Sequence, residues 1–330
     1  PDLKSYPISS DNTQITLDST SKEVTYGDSI TLKASVTSDT PQTVTWKSSN
    51  TAVATVKDGV VTATGKGTAK ITASLPNGRS AVCTVKVTTK KLPTSGYSYA
   101  STAQYTGSAI IPTVTVKDGS KVLRQNIDYR VIVTNNVKIG HANITISGMG
   151  NYYGSYTAGF DIIPAKQTIQ KLETRYKGFF VDWAQKGSAT GYDIQYSTSA
   201  NMSGAASKHL TANKPDNLTI SGLTADKTYY VRVRSYTNVG SKTYYGPWSD
   251  IKNIKTAKYD ITKASVSGIS TKAYTGKAIT QNITVKYNGT ALKNGTDYTT
   301  SYSNNKKIGK AIVKITGKGK YGGIITKTFT

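Results

Sequence analysis

The feature that most constrains this chain is an internal repeat. Residues 105–154 recur as residues 274–323, offset by 169 positions and without an insertion or deletion. Tyr105, Thr115, Leu123, Asp128, Tyr129, Asn135, Ile139, Gly148, Gly150 and Tyr152 all reappear as Tyr274, Thr284, Leu292, Asp297, Tyr298, Asn304, Ile308, Gly317, Gly319 and Tyr321. A turn of altered length would shift strand register and turn side chains to the wrong face, so unbroken spacing means that both copies fold alike. The stretches before and between the copies must then be folded units of their own.

Within each copy, apolar residues alternate over 139–146 and 308–315, the pattern of a strand with one buried face. Gly148 and Gly150, like Gly317 and Gly319, follow as a tight turn. Positive φ is the expected reason for these glycines, because no phosphate-binding helix follows them. Asp128 and Asp297 enter strands from loops and are expected to cap backbone amides rather than serve as acids. Thr, Ser, Val, Ile, Tyr, Lys and Gly dominate, whereas Leu, Met, Phe and Glu are scarce, a composition that favours strands and turns.

Residues 1–11 read as a polar tail broken by Pro1 and Pro7. Residues 12–90 hold seven short alternating runs, at 15–17, 29–36, 44–46, 52–56, 60–63, 69–73 and 82–87. Turn formers such as Asp58-Gly59 and Asn77-Gly78 separate them, and seven strands at this spacing make a two-sheet sandwich. Trp46 through Asn50, Val53 through Val56, Gly59 through Ala63 and Gly67 through Ala73 resemble the bacterial Ig-like group 2 domain. That resemblance implies an extracellular module of adhesins and cell-envelope proteins, with no chemistry of its own. Trp46 is expected in the core. Cys83 is the one cysteine, which excludes an intrachain disulfide and a cysteine metal cluster; it sits among alternating valines, as a buried and inert thiol does.

The repeat, taken as residues 91–164 and 258–330, resembles the Tyr- and Lys-rich β-sandwich repeats of Gram-positive surface proteins. Residues 165–257 between the copies are similar to a fibronectin type III domain. Trp183 falls at that family's core tryptophan, Tyr192 and Ile194 on the following strand, and Leu223 with Tyr229 at its tyrosine corner. Gly246, Pro247, Trp248 and Ser249 fall at the last strand, and Ala225 departs from a frequent proline. The expected architecture is all-β: a tandem array of four Ig-like or fibronectin-like β-sandwich domains forming an elongated rod. Connectors at 89–93, 163–166 and 256–259 are short, and strands rising ~3.3 Å per residue give about 150 Å for four modules in series.

Candidate functional residues are few. If Val231 and Val233 point inward, Tyr230, Arg232, Arg234 and Tyr236 point outward, and Trp248 can stack between the two guanidinium groups. Arg232, Arg234, Tyr244, Tyr245 and Trp248 form the candidate ligand-binding cluster; a surface ladder that rigidifies the sheet is the plainer reading. His141 and His209 lie in different modules without acidic partners nearby in sequence, and Lys310 replaces His141 in the second copy. No Gly-x-Ser-x-Gly elbow, paired acids, P-loop or calcium loop occurs, so no catalytic residue, metal or cofactor is expected. Isopeptide bonds between Lys and Asn or Asp are conceivable, but their triads join non-adjacent strands and are not readable in sequence.

A net charge of +24 attracts anionic polymers, including teichoic acids, acidic glycans and nucleic acid. The lysines read as dispersed rather than gathered in one tract, and no nucleic-acid-binding motif accompanies them. No apolar run reaches the ~18 residues of a membrane span. The absence of an initiating Met and of a signal peptide at Pro1 reads as a segment trimmed from a longer protein. Phe329 matches Phe160, after which the first copy continues through Ile163; a cut and a native terminus both fit.

Two functions fit these observations. One is the non-catalytic stalk or interaction module of a cell-surface or secreted protein, monomeric, with cell-wall or host glycans or another surface protein as partners. The other is a glycan-binding accessory region of a secreted polysaccharide-degrading enzyme, with Tyr244, Tyr245 and Trp248 as its stacking platform.

Overall fold

A computed structural model describes residues 12–330; the tail expected at 1–11 lies outside them. The described residues form β-strands joined by turns, with one short 3-10 turn at Ile261–Lys263 and no α-helix. The chain divides into two compact units. The first holds the described residues up to Ala103 with Gly107–Asp161, and the second holds Gln104–Thr106 with Ile162–Thr330.

In the first unit, strands Ser21–Thr25, Ser80–Thr88, Gly67–Ser74 and Thr45–Ser48 form a sheet in that order. A second sheet orders Ser29–Thr31, Val60–Ala63 and Ala54–Lys57, and Gln14–Leu17 pairs with Ala34–Thr37. Ser21–Thr25 runs parallel to Ser80–Thr88, in register from Ser21 opposite Thr84 to Thr25 opposite Thr88. Alternation sends Ile71, Cys83, Val85 and Val87 inward against Val24, Leu32 and Val61. Trp46 is half-buried and packs against this core. Gly59 is required here: its φ is +79°, and a Cβ would lie 2.5 Å from the Leu32 carbonyl oxygen. The same unit pairs Tyr129–Thr134 with Gly140–Gly148 and Thr115–Asp118 with Lys121–Val122. The Tyr129 hydroxyl, buried, donates to the Val114 carbonyl at 2.8 Å.

In the second unit, Ile169–Arg175, Gly178–Trp183 and Asn217–Ile220 face a sheet built on the long strand Thr228–Val239. Gly191–Ser197 pairs along one edge of that strand, while Lys252–Lys255 and Lys242–Tyr245 pair with its two halves on the other. Trp183, Tyr192, Ile194, Val231 and Val233 are fully buried between the sheets. Tyr229 accepts the Thr224 amide at 3.2 Å through its hydroxyl, which closes the loop before the strand. Farther along, Ala311–Gly317 pairs with Tyr298–Ser303 and Ile324–Phe329, and Thr284–Tyr287 pairs with Ser265–Ser267.

The turn glycines divide in role. Gly150 and Gly319 have φ of +59° and +61°, but Gly148 and Gly317 are not among the positive-φ residues. A Cβ at Gly148 would stand 2.8 Å from the backbone of Tyr152 and Tyr153, and one at Gly317 2.9 Å from that of Tyr321. Close approach of a returning backbone, not φ, therefore requires the first glycine of each turn. Asp128 and Asp297 cap their turns, accepting the amides of Arg124 and Lys293 at 2.9 Å each.

Candidate functional site

The period of the strand Thr228–Val239 puts Val231 and Val233 in the core and sets Arg232 and Arg234 on the opposite face. The chain then returns alongside. Ser249 fixes that return, donating its amide to the Val233 carbonyl at 2.8 Å and accepting the Val233 amide at 3.0 Å through its hydroxyl. This places Trp248 beside the arginines. Both guanidinium groups lie 4.5 Å from the Trp248 ring centroid, and Arg234 lies 4.0 Å from that of Tyr245.

Neighbouring strands complete the ladder. Arg232 donates twice to Gln195 Oε1, at 2.9 and 2.6 Å, and Arg234 donates to Asp193 Oδ2 at 2.9 Å. His209 meets the other Asp193 oxygen at 2.6 Å and stacks on Tyr236 with ring centroids 4.7 Å apart. Burial, and then the neighbouring Arg234 charge, lower the pKa of Arg232. Tyr244 does not join. Tyr245 pairs with Tyr236 and Tyr244 with Thr237, so alternation turns Tyr244 to the other face, where it is 6% exposed. The three-aromatic stacking platform is thus reduced to Tyr245 and Trp248, both already engaged by guanidinium groups.

A second arrangement recurs where each repeat copy meets the sandwich before it. In the first unit, Tyr26 packs edge-on against Tyr152 with centroids 5.5 Å apart. Lys90 Nζ lies 2.7 Å from Asp118 Oδ2, and the Tyr152 hydroxyl donates to the same oxygen at 3.0 Å. Lys121 stands over the Tyr26 ring at 4.8 Å and donates to its hydroxyl. Burial alone would raise the pKa of the Asp118 carboxyl, but hydrogen bonds from Lys90 and Tyr152 and the charges of Lys90 and Lys121 hold it below its usual value. Burial and the Asp118 carboxylate push the Tyr152 phenol up.

In the second unit the residues 169 positions after Lys90, Asp118 and Tyr152 are Tyr259, Tyr287 and Tyr321. Tyr176 of the preceding sandwich meets Tyr259 edge-on at 5.2 Å, and Tyr259 meets Tyr287 at 5.4 Å and Tyr321 at 5.3 Å. Each copy therefore seats one tyrosine of its predecessor, in a charged socket in the first unit and an aromatic one in the second.

The buried Trp183 and the tyrosine corner at Tyr229 agree with the family comparisons. Residues 169–251 match the profile of the fibronectin type III domain, and residues 11–92 that of the bacterial Ig-like domain (group 2). Each profile covers about a quarter of the chain. A Lacto-N-biosidase of Bifidobacterium bifidum is 57% identical over 51 residues, which cover 15% of this chain and 5% of that protein. Among solved structures, the FN1–FN3 domains of chicken CNTN1 are 13% identical and cover 74% of this chain and 98% of their own, at a TM-score of 0.27. A three-domain segment of titin is 14% identical with coverages of 74% and 99%, at a TM-score of 0.25.

Both histidines have acidic partners in space that sequence distance conceals: His209 has Asp193, and His141 Nδ1 lies 2.9 Å from Asp161. His141 Nε2 lies 2.2 Å from where a Cβ on Gly159 would be, so that edge of the ring needs the glycine beside it. No group of three or more His, Cys, Asp or Glu could hold a metal among the described residues, and no helix is long and apolar enough to cross a membrane. A cavity of about 330 Å³ is lined by Tyr274, Ile279, Ile308 and Phe329. Ile308 there is 83% exposed, against 7% for its counterpart Ile139. In the first copy the matching strand runs on through the fully buried Ile162 to Ile163, whose carbonyl accepts the Tyr105 amide.

Proposed function

We propose that the chain is a non-catalytic structural and interaction segment of a cell-surface or secreted bacterial protein, a stalk or interaction module. Its proposed organisation is four modules: the Ig-like domain at 12–90, a repeat at 91–164, the fibronectin domain at 165–257 and the second repeat at 258–330. The observation that carries this reading is the pair of joints, at Tyr26 and at Tyr176, which spend conspicuous aromatic and charged groups on holding one module to the next. Ig-like and fibronectin domains fit such a role.

A second reading, the glycan-binding accessory region of a polysaccharide-degrading enzyme, draws on the short likeness to a Lacto-N-biosidase. Its platform would be Trp248 with Tyr245, flanked by Arg232 and Arg234. A glycan array probed with the chain and with Trp248→Ala separates the two. The absence of any hit that depends on Trp248 supports the stalk, and a hit that the substitution abolishes supports the accessory region.

A further inference from the structure

Charge is distributed very unequally between the two copies of the repeat. Residues 258–330 carry 13 lysines against two aspartates, a net +11 out of the chain's +24. Residues 91–164 carry six Lys and Arg against three aspartates, a net +3. The fold does not need the difference, because both copies keep the same turns and the same core positions.

Five of these lysines gather at one end of the second copy. Lys272 and Lys307 line the same cleft beside Tyr274, which is 54% exposed. Asn305 clips the two loops together, donating to the Ile279 carbonyl at 2.8 Å while its own carbonyl accepts the Ile279 amide at 2.9 Å. That clip joins the loop carrying Lys277 to the loop carrying Lys306, and Lys310 follows two residues after Ile308. All five are exposed, and none has an ion-pair partner among the described residues. The copy's two acids, Asp260 and Asp297, sit at the far end. Asp297 precedes the strand Tyr298–Ser303 whereas the lysine loop follows it, a separation of about 20 Å for six residues. In the first copy the five positions are Ala103, Ser108, Val137, Lys138 and His141, so only one lysine is shared.

We infer that this end of the second repeat binds a linear anionic carbohydrate polymer, sulfated or phosphorylated. Lysines are hydrated point charges that follow a flexible polyanion without demanding a fixed fork geometry. Single-stranded nucleic acid is held by successive aromatic platforms along a basic groove. Here Tyr274 is the exposed ring that shares the cleft with Lys272 and Lys307, enough for one sugar ring and too little for a run of bases. The inference adds to the interaction-module reading and does not depend on either joint.

Binding of the whole chain to dextran sulfate and to dextran phosphate, two anionic forms of one polysaccharide, measured at 50 and 200 mM salt, tests it. Five charge contacts predict a roughly 100-fold loss of affinity across that range, by the counterion-release slope for flexible polyanions. Giving the second copy the residues of the first, Lys272→Ala, Lys277→Ser, Lys306→Val and Lys310→His, is expected to reduce the loss to about threefold and to weaken binding at 50 mM at least tenfold. Substituting four exposed lysines of the Ig-like domain, Lys22, Lys47, Lys57 and Lys70, by Ser is expected to change affinity less than twofold. The reciprocal graft, Ala103→Lys, Ser108→Lys, Val137→Lys and His141→Lys, guards against misfolding of the first variant and is expected to strengthen binding. The two polymer arms tell which anionic group is preferred. Equal losses in the two lysine-removal variants, a graft without gain, or tighter binding of single-stranded DNA than of either carbohydrate polymer overturns the proposal. Failure of this test with both joints intact in solution leaves the stalk reading standing.

Discussion

Asp118 and Tyr287 occupy the same position of the repeat, 169 residues apart, and each anchors a joint to the preceding domain by opposite chemistry. Asp118 gathers Lys90 and Tyr152 through an ion pair and a hydrogen bond, whereas Tyr287 meets Tyr259 and Tyr321 through ring edges. The two joints should therefore respond differently to acid.

Asp118 has a lowered pKa in the folded chain, because the hydrogen bonds and cations around it outweigh its burial. A carboxyl depressed on folding contributes stability that is fully present above its unfolded value, near 4, and is lost as pH falls toward the folded one. The first joint should weaken below about pH 4. Asp118→Asn is expected to cost about 1–3 kcal/mol at pH 7 and to flatten that acid dependence. Thermal unfolding of both proteins at pH 7, 4 and 3 checks this, and parallel pH profiles would refute it.

At the second joint, Tyr176→Ala removes an edge-to-face contact to Tyr259 and the approach of its hydroxyl to that of Tyr287. Pairs of this kind contribute about 0.5–1.5 kcal/mol each. Calorimetry is expected to show the fibronectin and second-repeat transitions separating in Tyr176→Ala but not in Tyr176→Phe. A trace unchanged in the alanine variant would mean that the joint does not couple them.

Within the fibronectin domain, Arg234 and Trp248 should be coupled by about 0.5–1 kcal/mol in a double-mutant cycle of Arg234→Ala and Trp248→Ala. Arg234→Lys should recover little of it, since a lysine keeps the charge but loses the planar stack. Additive effects of the two alanine substitutions would argue against the ladder.

Cys83 is fully buried, and burial pushes its thiol pKa up, with the Asp18 charge adding to the shift. Reaction with a disulfide reagent at pH 8 should accordingly be limited by opening of the Ig-like domain and become rapid in denaturant. Modification of the native chain at the rate of a free thiol would contradict that packing.

Alternation in sequence was enough to send Val231 and Val233 inward and Arg232 and Arg234 to the opposite face, whereas the places of Trp183 and Trp248 came from the resemblance to a fibronectin type III domain. Tyr244 was misplaced because its face depends on the hairpin turn before it, which pairs Tyr245 with Tyr236. Gly148 looked like a φ residue because steric contact with Tyr152, across a turn, leaves no mark in composition. The joints were invisible for a similar reason: Tyr26, Lys90, Asp118 and Tyr152 are spread over more than a hundred residues. The lysine end of the second copy was legible, but only by comparing the copies position by position, since whole-chain charge averages it away.

The parallel edge of the Ig-like domain has a mechanical consequence. Ser21–Thr25 enters beside the departing Ser80–Thr88, with further bonds from Tyr26 N to Thr88 O and from Thr84 N to Thr20 O, both 2.9 Å. A pull on the two ends of this domain, once the short Gln14–Leu17 strand has peeled away, drags these strands past each other lengthwise. The bonds between them are then strained together in shear instead of opening one after another like a zip. That geometry lets a small disulfide-free domain hold under tension.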